Sequence, residues 1–520
     1  MPLQAQNLWP FAPEKFATVF RYQYVISRER HEIPGFQYFS GPEWNLAIGR
    51  DLPVCELLDR DGAHLGHILG IAVGPEALLA DGTNQLPFSR EATNFWSLFE
   101  AWLTELAGRY AIMLSAHGKT RFYVDPVGMI GAVYNAQAQI LAASPLMAIT
   151  DPVKPNRKFD YDIIRDRGGK LSLFHTADER VRRLNPNFYL DLEDFVEHRH
   201  WPRNERFSLG AHEVLPAYDE MISRLSFNIA EITRAYPASV PVSGGQDSRI
   251  VLACCQENAD SRTRYYTHIN NYATRRDAAI GAALCSRLGL EHEIHDRRNS
   301  KIQKNLAEEF QASWNLSFGV ESAMPMEYRN GVILNLPEKD VVLRGHQTDI
   351  LRAVYVFRPK KRWGDASWQL KRMLIVPREM FNSDLVERFS DDFFRWQKTL
   401  PPNAMEKAAD FMFIEVYYNS TIGASFPALW RNFYMSPFNS RKLISLALSF
   451  PEGRRRRSEP VFDVIEHACP ALSGIPFDFE LHADLSYLDD PSYCQRSTEG
   501  RIGETRSRLE EFARAAENSG

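Results

Sequence analysis

The sequence predicts an α/β protein with an amino-terminal β-sheet region, a doubly wound parallel sheet and a helical carboxyl-terminal part. Short β-like runs, separated by Gly, Pro and Asp, extend from Phe20 to about Ile149. Between Ala238 and Ile294 predicted strands alternate with predicted helices, which is typical of a parallel sheet with helices packed on it. From Phe411 to Pro476 the pattern favours helices.

Length and composition limit the class of protein. A chain of 520 residues exceeds what one hydrophobic core normally supports, so we expect more than one domain. The formal net charge of -5 provides no general basic field, which argues against nucleic acid as a partner. No apolar run approaches the roughly 20 residues that a membrane helix needs. Because the six cysteines are scattered and no secretory signal is apparent, we expect a cytoplasmic protein.

In the amino-terminal region, a hairpin is predicted from Cys55–Leu58 and His67–Gly70, with an Asp-Gly turn between them. Residues 95–106 place apolar side chains at helical spacing and predict a helix over one face of a sheet. Four further strand-like runs follow, at residues 108–114, 121–128, 131–134 and 141–144.

The second half begins with a predicted helix over Val214–Tyr236, followed by a short apolar strand at residues 238–242. Two more strands are predicted at residues 263–269 and 289–294, with a helix over 276–288 between them. In such a sheet ligands bind at the carboxyl ends of the strands.

The stretch PVSGGQDSRIVLACCQ, residues 241–256, carries the most informative motif. Between the end of a predicted strand and the start of a predicted helix lie Ser243, Gly244, Gly245, Gln246, Asp247 and Ser248. Glycines let backbone N–H groups converge on an anion, and the following helix directs its positive end to the same place. We therefore predict a phosphate-binding loop; the alternative is a strand-to-helix turn with Asp as a helix cap.

The SGGQDS loop resembles the pyrophosphate-binding loop of the ATP pyrophosphatases. Residues 108–144 and the stretch RVRRLNPNFYLDLEDFVEHRHWP, within 179–202, are similar to the amidotransferase-type domain of class B asparagine synthetases and its bridge to the synthetase domain. The resemblance implies a layered, Ntn-type amidotransferase-like domain over residues 1–205 and an ATP-pyrophosphatase synthetase domain over 206–497. A polar tail, residues 498–520, follows.

A second stretch, DVVLRGHQTDILRAVY, residues 340–355, falls where that family has L-S-G-x-G-x-D-E-L-F-G-G-Y. The resemblance implies that Asp247 and Asp349 together hold Mg²⁺. Arg344 or Arg352 is a candidate to add positive charge for pyrophosphate or a substrate carboxylate, and the alternative for either is a surface arginine. The residues that the resemblance assigns to ATP are Ser243, Gly244, Gly245, Gln246, Asp247, Ser248, Thr267 and Gly345.

The chain also departs from the family at several positions. Arg344 stands at the family's Ser, Ile350 at its Glu and Ala353 within its later Gly-Gly. The family's catalytic lysine has no counterpart in residues 471–482. Glutamine-hydrolysing members use an amino-terminal cysteine, whereas Pro2 follows Met1 here, so we expect no glutaminase activity.

Three other features receive structural interpretations. Cys55 is predicted to be a buried strand cysteine. His292 and His295 lie three residues apart on a strand and therefore face opposite sides, which argues against a zinc pair. The arginine run 454–457 is interpreted as a solvated turn rather than an anion site.

The expected function is that of an ATP-dependent, AMP- and pyrophosphate-forming amide ligase. It would activate a small-molecule or peptide carboxylate for attack by an amine or ammonia, as β-lactam synthetases and lasso-peptide cyclases, which also lack the terminal cysteine, do with an internal amine. The altered second motif leaves a non-catalytic nucleotide sensor open, and nucleobase thiolation is disfavoured by the missing cysteine pairs. A homodimer is compatible with the resemblance.

Overall fold

The computed structural model describes residues 1–41, 43–167, 170–255, 258–354, 366–374, 382–481 and 498–518. Within it the chain forms two units, each assembled from separate stretches of sequence. The first contains Met1–Asn204, Gln303–Pro325 and the described part of residues 364–433. The second contains Glu205–Ile302, the described part of 326–363 and the described part of 434–520. The described residues form a mixed α/β fold with three sheets and a largely helical carboxyl-terminal part.

The first unit contains two antiparallel sheets, apart from one parallel pair. Their strands are β1 Tyr24–Ser27, β2 Phe36–Ser40, β3 Asn45–Gly49, β4 Val54–Leu58, β5 His64–Val73, β6 Leu78–Leu79, β7 Thr83–Gln85, β8 Ala107–Ala116, β9 Lys119–Val124, β10 Val133–Asn135, β11 Ile140–Ala142, β12 Arg182–Arg183, β13 Phe188–Asp191 and β14 Val196–Arg199. One sheet has the order β12-β10-β11-β1-β3-β2, and the other β14-β13-β9-β8-β5-β4-β7 with β6 beside β5. The parallel pair is β4 with β7.

The helices of the first unit include several short ones. They are Gln4–Asn7, Pro13–Val19, Phe95–Glu105, Tyr161–Arg167, Lys304–Phe318, Ala366–Met373, Ser383–Gln397, Pro402–Met405, Ala408–Phe411 and Tyr418–Ser425, with a π-helical turn at Met412–Tyr417. The predicted helix over residues 95–106 is confirmed. Phe95, Phe99 and Leu103, one turn apart, are fully buried in the same cluster as side chains of β4, β5 and β8. Apolar residues at this spacing form one face of a helix, which explains why the helix packs against the sheet.

The predicted hairpin is also confirmed. β4 pairs antiparallel with β5, and Gly62 adopts a left-handed φ of +84° in the turn that joins them. Cys55 on β4 is buried, and burial raises the pKa of its thiol to about 11. The cysteine therefore behaves as a core residue of the strand, as expected.

The third sheet contains five strands in the order β17-β16-β15-β18-β19. They are β15 Ala238–Pro241, β16 Arg264–Ile269, β17 His292–Asp296, β18 Val341–Leu343 and β19 Phe433–Met435. β15 pairs in parallel with both β16 and β18, and β16 pairs in parallel with β17. The expectation of a parallel sheet in this half of the chain is therefore confirmed.

The helices of the second unit supply its core. They are Val214–Ala235, Gln246–Cys255, Tyr272–Arg287, Met326–Arg329, Arg441–Ser449, Glu452–Arg456, Glu459–Ala468, Pro470–Ser473 and Thr498–Glu517. Val214–Ala235 packs against Gln246–Cys255, whose residues from Arg249 to Cys255 are all buried. Among the helices that the structure describes, none combines the length and apolar character needed to cross a membrane.

Three predicted boundaries are wrong. The helix expected over residues 276–288 begins at Tyr272, because Asn271 caps it by accepting a hydrogen bond from the Thr274 amide at 3.0 Å. The strand expected at 289–294 is His292–Asp296, since its register is set by pairing with β16. Residues 411–476 are not uniformly helical, because the three buried residues of β19 form an edge strand; a run this short carries no periodicity.

Candidate functional site

The loop at residues 243–248 connects β15 to a helix, as predicted. The Val242 amide donates to the Tyr266 carbonyl at 2.8 Å, which extends the pairing with β16 up to the loop. The helix begins at Gln246 rather than after Ser248, so Gln246, Asp247 and Ser248 form its first turn. Only residues 242–245 lie between the strand and the helix.

Side-chain oxygens accept hydrogen bonds from the amides of this loop. The Ser243 amide donates to Ser248 Oγ at 3.2 Å, and the two hydroxyl oxygens lie 2.8 Å apart. The Gly245 amide donates to Ser243 Oγ at 3.3 Å. The Gly244 amide donates to a carboxylate, Asp277 Oδ1, at 3.0 Å. Three consecutive amides thus bind oxygen acceptors of the kind that a phosphate presents.

Close packing explains the glycine at position 244. A Cβ there would lie 2.5 Å from Ile280 Cδ1 and 3.0 Å from Asp478 Cβ. The Gly244 carbonyl accepts a hydrogen bond from the Asp478 amide at 3.0 Å. A larger residue at position 244 would therefore require Ile280 and Asp478 to shift, independently of any ligand.

Asp277 is a residue that the sequence interpretation missed. Burial raises the pKa of its carboxyl, the Gly244 amide lowers it and the nearby Asp478 raises it, with a net upward shift. An acidic side chain on the Gly244 amide competes with any anion for that donor. Asp277 lies inside the helix Tyr272–Arg287, far along the chain from the loop, and no motif marks it.

The structure brings the second predicted segment into contact with the loop. Gly345 follows β18, and a Cβ on it would lie 2.5 Å from the Asp247 carbonyl oxygen. Thr348 Oγ1 donates to Asp247 Oδ1 at 3.0 Å. Asp349 is the next residue, half-buried, in the 3₁₀ turn Thr348–Arg352. Asp247, Gly345 and Asp349 thus belong to two segments that touch.

Arg352 forms an ion pair with the central carboxylate. Its Nη2 lies 2.5 Å from Asp247 Oδ2, and the two side chains are about 28% and 34% exposed. With Thr348 on the other oxygen, both oxygens of Asp247 accept hydrogen bonds. Each oxygen of a carboxylate has further lone pairs, so Asp247 can still bind a cation. That cation would lie next to the positive charge of the Arg352 guanidinium.

The arginine run 454–457 is not a solvated turn, contrary to the prediction. Arg455 is fully buried and donates through Nη1 to the Ile350 carbonyl at 3.0 Å. Arg454 is 15% exposed and pairs with Glu459 and Asp463 at 2.9 Å each. Acidic residues on the following helix Glu459–Ala468 explain the difference, because they pair with guanidinium groups that local sequence alone would leave in water.

Arg344 lies beside Gly345 but is engaged elsewhere. Its guanidinium lies 3.7 Å from Glu327 Oε1 and 5.3 Å from the centroid of the Tyr434 ring. Burial lowers its pKa, whereas Tyr266, Glu327 and Tyr434 raise it, and the net direction is upward. The side chain stays charged and is about 32% exposed.

Thr267 contacts the chain leading into the loop. Its hydroxyl donates to the Val242 carbonyl at 2.5 Å and lies 2.9 Å from His292 Nε2. The side chain is 5% exposed, so in this structure it positions the residue before the loop. His292 and His295 lie on opposite faces of β17: His292 contacts Thr267, and the ring of His295 lies 5.7 Å from that of His268.

The donor set can be compared with what Mg²⁺ requires. Asp247 and Asp349 supply two carboxylates on contacting segments, and Mg²⁺ in nucleotide sites is held by one or two carboxylates plus phosphates. The types of donor fit Mg²⁺, and Arg352 would compete with the ion for Asp247.

One cavity lies elsewhere among the described residues. It measures about 230 Å³, belongs to the first unit and is lined by Tyr134, Leu173, Phe174, Arg182, Asn185, Phe188, Glu197, Asp392, Arg395, Trp396 and Thr399. None of the predicted site residues lines it.

No protein-family model matches this chain, and no curated protein matches it significantly. The family therefore stays a prediction from the motifs.

Proposed function

We propose that the chain is an ATP-dependent ligase that forms AMP and pyrophosphate while joining a carboxylate to an amine or ammonia. One observation carries the proposal: Gly345 packs against the backbone of Asp247, so the SGGQDS loop meets the segment that contains Asp349. In the finer architecture that we propose, an amidotransferase-like domain precedes a doubly wound ATP-pyrophosphatase domain.

The strand order supports a ligand site at this position. β15 lies between β16 and β18, and the chain moves outward from it first to one side and then to the other. Open parallel sheets bind ligands outside the carboxyl ends of their strands at such a reversal of strand order. Ser243 follows β15 and Arg344 follows β18, so both segments leave the sheet at this reversal.

The backbone at Ala353 supports the resemblance of the second segment. Ala353 stands at a glycine of the family motif, and its φ is +47°, in the left-handed region that favours glycine. A glycine at this position, as in the family motif, would adopt the same backbone conformation without strain.

The proposed roles follow from chemistry and position. The hydroxyls of Ser243 and Ser248 and the amides of Gly244 and Gly245 donate to the phosphates of ATP. Asp247 and Asp349 hold Mg²⁺, which supplies charge neutralisation for the departing pyrophosphate. Arg344 lies at the end of β18, where a charged guanidinium can bind pyrophosphate or the substrate carboxylate.

Two hydrogen bonds within the protein must be replaced by hydrogen bonds to phosphate for ATP to bind in this way. Asp277 occupies the Gly244 amide, and Arg352 occupies Asp247 Oδ2. Since a phosphate is both an acceptor for the amide and an anion for the guanidinium, one ligand can satisfy both groups.

A nucleotide sensor without ligase activity is the second candidate. Asp277 and Asp478 place two carboxyl groups at Gly244, and residues 471–482 contain no lysine. Residue 482 lies outside the described residues. The carboxyl groups oppose the binding of an anion at this amide, whereas the missing lysine would weaken catalysis more than nucleotide binding, and only the second feature favours this alternative.

Exchange of labelled pyrophosphate into ATP, measured with panels of small-molecule and peptide carboxylates, separates the two. Exchange that depends on one carboxylate and on Mg²⁺ supports the ligase. Tight ATP binding without exchange for any carboxylate supports the sensor, and absence of both activities contradicts the proposed site.

A further inference from the structure

We propose that Glu56, His64 and His67 form a binding site for a divalent transition-metal ion of the zinc class on the β4–β5 hairpin. One ligand atom from each of these side chains lies within 4.8 Å of the other two. They are the only such group of three among the residues that the structure describes. The site belongs to the first unit and does not depend on the proposed ligase function.

An irregularity in strand pairing creates the cluster. On a regular strand, residues three apart such as His64 and His67 face opposite sides. Here Glu56 pairs with His67 and Leu57 with Gly66, but Leu58 pairs with His64, so Leu65 is an extra residue. This bulge returns His64 to the face of His67, and the two rings lie 5.0 Å apart.

The opposite face of the hairpin explains why the bulge is tolerated. Leu65 is 2% exposed and lies in the core cluster with Cys55, Leu57 and Ile68. A Cβ on Gly66 would lie 2.0 Å from the Met113 carbonyl oxygen, so only glycine fits beside β8. Core packing therefore holds the backbone in the arrangement that brings the three polar side chains together.

The distances suit a small metal ion. His64 Nε2 lies 3.7 Å from Glu56 Oε1. Ligand atoms about 2.0–2.2 Å from a tetrahedral zinc are separated by roughly 3.4 Å, so small side-chain rotations close the set. Two imidazoles and one carboxylate favour Zn²⁺, Co²⁺ or Ni²⁺ over Mg²⁺ and Ca²⁺, which prefer oxygen.

Two observations at the cluster favour a bound metal ion over a simple ion pair. Nδ1 of His67 is buried and has no hydrogen-bond partner among the described residues. Coordination through this nitrogen would satisfy it. Thr83 Oγ1 donates to Glu56 Oε2 at 3.4 Å, which leaves Oε1 toward His64 and orients the carboxylate as an outer-sphere partner does.

Neighbouring side chains leave only one side of the proposed metal site open to solvent. The Phe39 ring lies 5.1 Å from the ring of His67, whereas Glu56 and His64 are each about half exposed. Three protein ligands with one open side leave coordination positions for water. We infer a reversible site whose ion joins β4 to β5.

Calorimetric titration of the full-length, tag-free chain with Zn²⁺ or Co²⁺ alone tests the site. The expected result is one ion per chain, with affinity at least tenfold weaker in Glu56→Gln, His64→Ala and His67→Ala, since even outer-sphere changes cost about 10–100-fold. His212→Ala, an exposed histidine in the second unit, is the matched control and should leave binding unchanged.

A thermal melt monitored by circular dichroism provides a second readout. Zn²⁺ should raise the Tm of the wild-type chain and not of His64→Ala, whose side chain is about half exposed and whose loss should leave the fold intact. Binding that is unchanged in His64→Ala, or no saturable binding by the wild-type chain, overturns the proposal. Asp247→Asn should retain the ion, which separates this site from the proposed ATP site.

Discussion

The guanidinium of Arg352 is ion-paired with the carboxylate of Asp247, 2.5 Å from Nη2 to Oδ2. The two residues come from the SGGQDS helix and from the turn after β18, so the pair joins the two segments that define the candidate site. The positive charge of Arg352 also partly neutralises the negative charge that Asp247 presents to a ligand.

Asp247→Asn tests the proposed magnesium role. Pyrophosphate exchange should fall about 100-fold or more, because the remaining amide is a poor ligand for Mg²⁺. Stability should change by no more than about 1 kcal/mol, since the ion pair with Arg352 is partly exposed. Asp260→Asn, which alters the exposed pair with Arg262, is the control and should retain activity. Full exchange by a folded Asp247→Asn protein would refute the assignment.

Gly345→Ala tests the contact between the two segments. The added Cβ would lie 2.5 Å from the Asp247 carbonyl oxygen, so the segments must separate. We expect a loss of about 1–3 kcal/mol in unfolding free energy, measured with urea, and weaker ATP binding. At Gly474 a Cβ meets nothing within 4 Å, so Gly474→Ala should leave both quantities nearly unchanged. Equal behaviour of the two variants would contradict the structural role of Gly345.

Asp277→Asn tests the competition at the Gly244 amide. Asn keeps the acceptor oxygen but removes the charge, and hydrogen bonds to charged groups are about twice as strong as neutral ones. ATP should therefore bind about tenfold more tightly in a fluorescence titration. Asp219→Asn, an exposed carboxylate paired with His467, controls for net charge and should not change the affinity. Unchanged or weaker binding in Asp277→Asn would exclude the competition.

Glu415 provides a pH-dependent prediction for the first unit. Its fully buried carboxylate accepts from Arg199 at 2.6 and 2.9 Å and from Asn185, Asn187 and Trp396. Burial raises its pKa, but Arg199 and the other donors lower it below the ordinary 4.5. A folded-state pKa below the unfolded-state pKa stabilises the fold at pH values above the unfolded-state pKa. This contribution is lost as the pH falls through the folded-state pKa.

Glu415→Gln should cost about 3–5 kcal/mol at pH 7, because Arg199 would remain buried without its counterion. Urea unfolding at pH 7 and at pH values below 4.5 should show a smaller loss on acidification for this variant than for the wild type. The exposed Glu43, paired with Arg28 at 3.6 Å, provides the control, and Glu43→Gln should cost no more than about 1 kcal/mol. A pH profile parallel to that of the wild type would rule out Glu415 as a source of acid sensitivity.

Periodicity was sufficient for elements with an amphipathic face or a clear turn. The helices Phe95–Glu105 and Val214–Ala235, the β4–β5 hairpin and the strand before Ser243 all follow from local pattern. Boundaries failed where a cap or a pairing partner decided them, as at Asn271 and β17. The pairing partner of β17 is absent from its local sequence, whereas the Asn271 cap is a local signal, three residues before Thr274, that hydrophobic periodicity does not include.

The candidate site divides in the same way. The loop 243–248 and the segment around Asp349 carry local motifs, which made both visible in the sequence. Asp277 and Arg455 have none, because each contacts a residue remote in sequence. The Glu56, His64 and His67 cluster was invisible for another reason: alternation places His64 and His67 on opposite faces, and only the bulge at Leu65 reverses this.

The sequence by itself determined the mixed α/β class, the parallel sheet and the phosphate-loop motif, since these depend on hydrophobic period and on a few glycines in fixed order. Only the tertiary structure determined which group each charged or polar atom of the site contacts. Asp247 meets Arg352, Gly244 meets Asp277 and Arg455 holds the Ile350 carbonyl. Burial and packing choose these partners, because an ionised side chain removed from water must find a counterion or a hydrogen bond wherever the fold places one.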